Sequence, residues 1–259
     1  MTRRAVVRCL QRIVAARFHR KLATRVSSGP IISVTFDDFP RSAWTVAGKM
    51  LAERGIHGTY YTASGLMGQP SPVGEICGPA DLESVVGAGH EVACHTFDHV
   101  LCSGLRSAAL VGNCQRNRQR IAEELNGYGL RNFSFPEGVV TLGAKSTLSA
   151  VYVTCRTIEP GINRDPVDFA FLRANRIYSR FGIGHLREMI RKNAEQQGWL
   201  ILYTHDVIES PSPYGCTPKE FGEVLDCAVA SHADILSIAE ATERFQTIPT
   251  TRDGARLDV

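Results

Sequence analysis

A chain of 259 residues with 44% hydrophobic composition is long enough to bury one sizeable core, and no linker divides it into two. Its formal net charge of +3 is too balanced for a nucleic-acid binder. No apolar run reaches the length of about 18 residues that a membrane span needs.

The first segment is strongly biased. Arg3, Arg4, Arg8, Arg12, Arg17, Arg20, Lys21 and Arg25 fall in it without a single acid. Val6, Leu10, Ile13, Val14, Phe18 and Leu22 recur at near-helical spacing, so it reads as a basic amphipathic helix. The arginines interrupt every apolar stretch that an export signal would need. Two readings follow: a helix packed on the domain, favoured because charge runs are usually solvated faces, or an arm that contacts anionic membrane through residues 1–25. The chain divides accordingly into a basic N-terminal arm (1–27), a catalytic body (28–246) and a polar tail (247–259). The eight cysteines form no C-x-x-C pair, which argues against a zinc ribbon or a thioredoxin-like centre. Without an export signal they are expected to be reduced thiols of a cytoplasmic protein. Cys216 precedes a helix start, where a thiol pKa can fall; the plainer reading is an inert loop cysteine.

From residue 30 onward, strands and helices alternate. Ile31–Phe36 is a short apolar, β-branched run and reads as a buried strand. Val46, Met50 and Leu51 mark a helix that stops at Arg54-Gly55. Thr59–Thr62 is the second strand, residues 81–88 a helix closed by Gly89, and Glu91–Cys94 the third strand. A polar-faced helix over 115–125 ends at Asn126-Gly127. A strand over 132–135, a helix over 145–152, a strand over 153–155 and a helix over 186–196 follow. Residues 199–203 form the most hydrophobic strand. Thr217-Pro-Lys-Glu220 and Ser237-Ile-Ala-Glu240 are two capping boxes, the second just after a strand over 234–236. Alternation of this length implies a mainly parallel sheet with helices outside. About seven such units suit an α/β fold closed into a distorted β/α barrel, where functional groups gather at the C-terminal ends of strands.

Three strands end in acids or histidines: Phe36-Asp37-Asp38, His95-Thr96-Phe97-Asp98-His99 and Tyr203-Thr204-His205-Asp206. In a barrel all three point into one mouth. Adjacent carboxylates leaving a buried strand are costly unless something positive compensates, and a divalent metal is the simplest compensation. One Asp and two His, the latter spaced H-x-x-x-H, leave an open position for water, the pattern of catalytic zinc. The second carboxylate then suits a general base, and a histidine across the pocket suits a general acid. Each part alone has a plainer reading: an Asp-Asp pair as a turn, a strand-end histidine as hydrogen-bonded structure. Their coincidence at three strand ends favours chemistry. His19, His57, His90, His185 and His232 lack acidic partners in such positions and read as structural or surface residues.

With these motifs in this order, the segment from about Ile31 to Ile238 resembles the NodB homology domain of the polysaccharide deacetylases, carbohydrate esterase family four. The resemblance implies a metal-dependent hydrolase that removes the N-acetyl group of an amino sugar, or of an N-acetylglucosamine-containing oligo- or polysaccharide. Its cofactor would be one divalent metal, zinc foremost. Thr35-Phe36-Asp37-Asp38 is similar to the family's first motif, which makes Asp37 the base and Asp38 a metal ligand. His95-Thr96-Phe97-Asp98-His99 matches H-[ST]-x-x-H and adds His95 and His99 as ligands. Leu202-Tyr203-Thr204-His205 matches L-x-x-H, with His205 as the acid and Leu202 lining the acetyl pocket.

Two motifs depart from the family. Its R-x-P-x-x is here Ser134-Phe135-Pro136-Glu137-Gly138, with serine in place of the arginine that holds the catalytic aspartate. Pro136 and the following turn remain, and the backbone N–H of Glu137 is the expected oxyanion donor. Asp165-Pro-Val-Asp168-Phe169 resembles the fourth motif with phenylalanine for tryptophan. Asp168 would then orient His205; the alternative is a loop or cap acid. Arg156 follows Val153-Thr154-Cys155, at the C-terminal end of the strand after the one carrying Ser134, and is the candidate substitute for the lost arginine, through a two-pronged contact with Asp37. The plainer reading pairs it with Glu159 or solvent. Tyr60, Tyr61, Phe97, Phe135 and Trp44 are candidate sugar platforms, although aromatics near strands are more often core. Two rivals stay open: an amidohydrolase for a formamide, ureido group or cyclic amide, and a carbohydrate-binding homologue that has lost catalysis.

Overall fold

A computed structural model of the chain describes residues 3–248, with the side chains of residues 10–248. It begins with α1 (Arg3–Arg17), β1 (Leu22–Arg25), β2 (Ile31–Phe36), a π-helical segment (Ala43–Gly48) continued as α2 (Lys49–Ala52), and β3 (Thr59–Thr62). A short hairpin, β4 (Pro70–Ser71) and β5 (Gly74–Glu75), precedes α3 (Pro79–Gly87) and β6 (Glu91–Cys94). Next come α4 (Ser107–Glu124), β7 (Asn132–Ser134), α5 (Leu142–Ser149), β8 (Thr154–Arg156), β9 (Val167–Asp168) and β10 (Asn175–Arg176). The remaining elements are α6 (Gly184–Gln196), β11 (Trp199–Thr204), α7 (Pro218–Ala230), β12 (Asp234–Ile235), α8 (Ile238–Thr242) and β13 (Phe245–Thr247).

Seven parallel strands in the order β10-β11-β2-β3-β6-β7-β8 curl into a half-barrel. β3 pairs only with the C-terminal end of β2, and β12 takes the same edge at its N-terminal end. The barrel expected from the alternation is present but incompletely closed. The chain between β8 and β10 fills the gap with backbone bonds, Thr157 N–H to Leu172 O at 2.8 Å and Ala174 N–H to Glu159 O at 2.9 Å.

β2 is buried along its whole length because both faces are covered, as a central parallel strand requires. Ile32, Val34 and Phe36 join Val92, Cys94, Phe133, Leu200 and Leu202 in one apolar layer. Ile31 alternates with them and joins Tyr61, Ala93, Trp199, Ile201 and Tyr203 in the other. The strand period of two carries residues 37, 95, 134, 156 and 205 to that second, inner side. At the opposite end of the barrel, buried Glu91 accepts hydrogen bonds from Thr59, Asn132 and the Ala239 N–H at the start of α8.

Boundaries differ where the pattern is diluted. α4 starts at Ser107 rather than Gln115, because its buried stripe of Leu110, Cys114, Asn117 and Ile121 includes an amide that masks the periodicity. α5 starts at Leu142, fixed by the Thr141 hydroxyl, which accepts from Ala144 N–H at 3.2 Å. β8 continues through Arg156, so that arginine is part of the sheet.

The basic helix lies on the body. The Lys145 ammonium donates to Ala15 O and Phe18 O, each at 2.8 Å, and to Asp168 at 2.6 Å. A cation at exposed C-terminal carbonyls favours the helix dipole. Lys145 is itself fully buried, and burial pulls its pKa down while Asp168 opposes that. β1 then runs antiparallel between β13 and β9. Residues 22–25, assigned to the arm by sequence, and Thr247, assigned to the tail, thus share one small sheet. Residues 1–2 and 249–259 lie outside the described residues. Leu10, Ile13 and Val14 remain exposed on α1, and Phe18 just after it. No helix among the described residues is long and apolar enough to cross a membrane.

Replacing Lys145 by methionine strands the Asp168 carboxylate and frees two helix carbonyls. The expected loss is about 3 kcal/mol in denaturant unfolding. Changing Asp168 to leucine as well should recover part of it, whereas additive losses would show that the pair is not coupled.

Candidate active site

Asp38, His95 and His99 stand at the C-terminal ends of β2 and β6, and their ligand atoms all lie within 4.8 Å of one another. Asp38 Oδ1 is 3.1 Å from His99 Nε2 and 3.4 Å from His95 Nε2, yet this buried oxygen has a hydrogen bond with neither. An unsatisfied carboxylate oxygen facing two imidazole nitrogens is the arrangement that a divalent cation completes. The donor set therefore fits a metal ion. His95 Nδ1 lies 2.9 Å from the Ser134 carbonyl oxygen. A carbonyl only accepts, so Nδ1 carries the proton and Nε2 turns its lone pair towards Asp38 and His99.

The electrostatics agree with that tautomer. Burial lowers the His95 pKa to about 4, against the pull of Asp37 and Asp38, which keeps the ring neutral. For His99 burial works in the same direction, but the contact with Asp38 and the charges of Asp38, Asp37 and Glu137 outweigh it and raise the pKa. Burial likewise opposes the Asp38 carboxylate, and the three surrounding histidines overcome it, holding Asp38 well below the usual carboxylate range.

Local backbone makes these positions unusual. Eight described non-glycine residues have positive φ, and five of them, Asp38, Phe39, Thr96, His99 and Glu137, border this site. Such conformations cost on the order of 1 kcal/mol each and persist only where neighbours enforce them. Here the Thr96 hydroxyl accepts from Val100 N–H at 3.1 Å, and Asn113 Oδ1 accepts from Phe97 N–H at 2.7 Å. Asn113 also donates to Asp98 at 2.8 Å, so α4 holds the loop that presents His99.

Arg156 lies beneath the cluster and is fully buried. Its Nη2 donates to both Asp37 Oδ1 and Ser134 Oγ, and its Nη1 donates to Thr157 O at 3.1 Å. The guanidinium sits 4.9 Å from the Tyr61 ring centre and 5.0 Å from that of Tyr203. Ser134 and Arg156 are direct register partners across β7 and β8, so their side chains share one face. The contact with Asp37 is made by one nitrogen rather than two, because the other is turned to the backbone. Glu159, the alternative partner, is taken by Arg12 at 2.7 Å. Burial lowers the pKa of Arg156, but the Asp37 charge more than offsets this and raises it.

His205 closes the far side, with Nε2 at 3.9 Å from Asp38 Oδ2. Its Nδ1 is 3.2 Å from the Tyr214 carbonyl oxygen, and its ring lies 5.9 Å from Tyr178 and 5.7 Å from Tyr214. Asp206 fixes that loop by accepting from Ser212 N–H at 2.7 Å and from the Ser212 hydroxyl at 2.6 Å.

A family model for polysaccharide deacetylases matches residues 24–153. The chain belongs to the polysaccharide deacetylase family. Solved structures share the fold. One is the Xyl-CE4 domain of a multidomain xylanase from the hindgut metagenome of Trinervitermes trinervoides, with TM-score 0.56 and 15% identity over 83% of this chain and 91% of that one. A second is the chitin deacetylase of Colletotrichum lindemuthianum, with TM-score 0.57 and 16% identity over 84% of this chain and 88% of that one. A third is PdaA of Bacillus subtilis, a family 4 carbohydrate esterase, with TM-score 0.56 and 11% identity over 90% and 88%. A search of curated protein sequences gives no significant match.

Set against this family's motifs, the structure brings Asp37, Asp38, His95, His99, His205 and Arg156 together and moves two expected residues away. Asp168 accepts from Lys145 and from the backbone N–H of Lys21 and Ala170, and the Tyr214 carbonyl occupies His205 Nδ1 in its place. Leu202 belongs with Ile32 and Phe36 in the outer layer, because strand alternation turns Tyr203 inward instead. Pro136 is buried and Glu137 follows it in a left-handed turn with φ of 52°. Among the other expectations, Cys216 is buried and its thiol is pushed up to about 12, while His57 does have an acidic partner, Glu240 at 3.0 Å. Tyr60, Tyr61 and Phe135 are core residues, Arg116 covers Phe97 at 4.1 Å, and half-buried Trp44 packs edge-on against Tyr60 and His90. The exposed rim aromatics are Phe181 and Tyr214. Reading strand ends for aromatic residues in the loops beyond them would have found both.

One divalent ion per chain is the expected result of metal analysis after equilibration with zinc. Asp38→Asn and His99→Ala should each weaken binding by more than about a hundredfold. Affinity should drop as the pH falls through the raised His99 value, because the ligand must be neutral; His95, at about 4, protonates only later. Full occupancy in His99→Ala would overturn the assignment.

Proposed function

We propose that this member of the family is a metal-dependent N-deacetylase acting on an amino sugar or an N-acetylglucosamine-containing oligo- or polysaccharide. The observation that carries the reading is the buried Arg156–Asp37 pair beside the Asp38, His95 and His99 cluster, with His205 opposite. A divalent ion on Asp38, His95 and His99, zinc foremost, would supply Lewis acidity, lowering the pKa of bound water and polarising the acyl oxygen.

The chain's own residues do the rest. Asp37 takes the proton of the attacking water, and Arg156 holds that carboxylate in place. The backbone N–H of Glu137, held in its turn by buried Pro136, supports the oxyanion. His205 protonates the departing amine as the C–N bond breaks, leaving acetate and the free amino sugar. Its Nδ1–H is committed to the Tyr214 carbonyl, so Nε2 is the nitrogen that faces the pocket. A binding protein without catalysis is disfavoured, since holding a sugar does not call for a buried ion pair at such a cluster. Formamide, ureido and cyclic-amide substrates would use the same groups and are separated by assay.

Acetate release from chito-oligosaccharides tests the reading. Asp37→Asn should lose at least about a thousandfold in kcat while retaining metal; more than about a tenth of wild-type rate would show that Asp37 is not the base. Arg156 is a positioning residue in this scheme. Arg156→Ala should lower kcat about ten- to a hundredfold without releasing metal and with KM little changed. Arg156→Lys should recover little of that rate. A rise in KM alone with kcat unchanged, or loss of metal together with rate, would reduce Arg156 to a packing role.

A further inference from the structure

The rim beside His205 carries two arginines that the scheme above does not use. Arg176 stands at the C-terminal end of β10, in register with Tyr203, and Arg180 lies in the loop that follows. Their guanidinium carbons sit 3.9 Å and 4.7 Å from the centre of one ring, Phe181. Arg180 is also 5.1 Å from the Tyr214 ring and 5.6 Å from the Tyr178 ring. Tyr178 and Tyr214 are the two rings that flank His205, so Arg180 lies one aromatic side chain beyond the general acid, and Arg176 one further, across Phe181, which stacks on Tyr178. Both are exposed, and neither pairs with a carboxylate among the described residues. Two like charges gathered on one ring repel each other, and the rings hold them by cation–π attraction alone.

The platform is also built to stay in place. Ser179 N–H donates to Gly215 O at 3.0 Å, and the Ser179 hydroxyl accepts from Thr217 N–H at 3.2 Å and pairs with Glu220. These bonds lock the Arg180 loop to the Tyr214 loop. An oxyanion bound at this rim would offset the two positive charges and accept planar, charge-assisted hydrogen bonds from a guanidinium group.

We infer that Arg176 and Arg180 form an anion-recognising subsite, so that the substrate is an N-acylated amino sugar bearing a phosphate or carboxylate close to the reacting acetamide. This deepens the deacetylase reading and rests on it.

The test compares neutral N,N′-diacetylchitobiose with N-acetylglucosamine 1-phosphate and with N-acetylmuramic acid, so that phosphate and carboxylate are separate arms. The readout is the ratio of anionic to neutral kcat/KM on the metal-loaded enzyme. At least one anionic arm should exceed the neutral substrate by about tenfold. That ratio should shrink as ionic strength rises, and should fall towards one in the Arg176→Ala/Arg180→Ala double variant. Lysine at both positions should keep only part of it. A wild-type ratio near one in both arms, or a ratio that the double variant leaves intact, overturns the subsite. If no substrate releases acetate, the deacetylase reading fails separately, and the same ratio is then taken from calorimetric affinities of the three compounds.

Discussion

A carboxylate buried beside the Asp38, His95 and His99 cluster has to be stabilised by a cation, and in this fold that task falls to Arg156. The family places its arginine on the strand that here carries Ser134. In this chain it stands at the register partner of that residue on the next strand. The move is geometrically cheap, since side chains paired across two parallel strands project from the same face. Serine then becomes part of the solution. It is small enough to admit the guanidinium, and its hydroxyl accepts one of the same N–H groups that reach Asp37. Breaking such a buried pair costs about 3–5 kcal/mol when one partner is removed. The two positions therefore have to change together.

The fourth motif has been redistributed in a similar way. Its acid, Asp168, is spent on Lys145 and on the backbone where the chain passes from α1 into β1. It has thus become the clamp that seats the N-terminal helix. The imidazole it would have oriented is held instead by the Tyr214 carbonyl, in a loop folded around Asp206. A carbonyl fixes the tautomer as a carboxylate does, but adds no charge to the pocket. Beside the histidine cluster the negative charge of Asp37 and Asp38 faces Arg156.

Most of this was legible in the sequence, for identifiable reasons. β2, β6 and β11 are short buried strands followed directly by acids or histidines, so chemistry and strand termini coincide. Arg156 could be found because strand adjacency is implied by the order of the alternation. Its single-nitrogen contact could not, since that depends on where Thr157 O lies. Leu202 was misplaced because a motif names residues without saying which face they occupy, and the alternation of Ile201, Leu202 and Tyr203 decides it. Asp168 lies elsewhere because its partner Lys145, which the pattern puts at the first position of a helix, sits one turn inside α5, which begins at Leu142, so nothing in the sequence marks that lysine as buried.

The positive-φ residues around the cluster show why the site and the loops beyond it behave as one body. Asp38, Thr96, His99 and Glu137 hold their conformations only while Asn113, Arg156 and the strand ends enforce them. His205 depends in turn on the Tyr214 carbonyl, and the Tyr214 loop is tied through Ser179 to the segment bearing Arg180. The position of the His205 imidazole and the position of the charged rim are therefore set by the same few hydrogen bonds. A change in the β10–α6 loop that breaks the Ser179 bonds would, in the proposed scheme, reach catalysis through the imidazole's orientation. A change confined to the guanidinium groups leaves those bonds in place and would act on the proposed substrate choice. That separation follows from which atoms carry the loop's hydrogen bonds: they are backbone and Ser179, not the arginines.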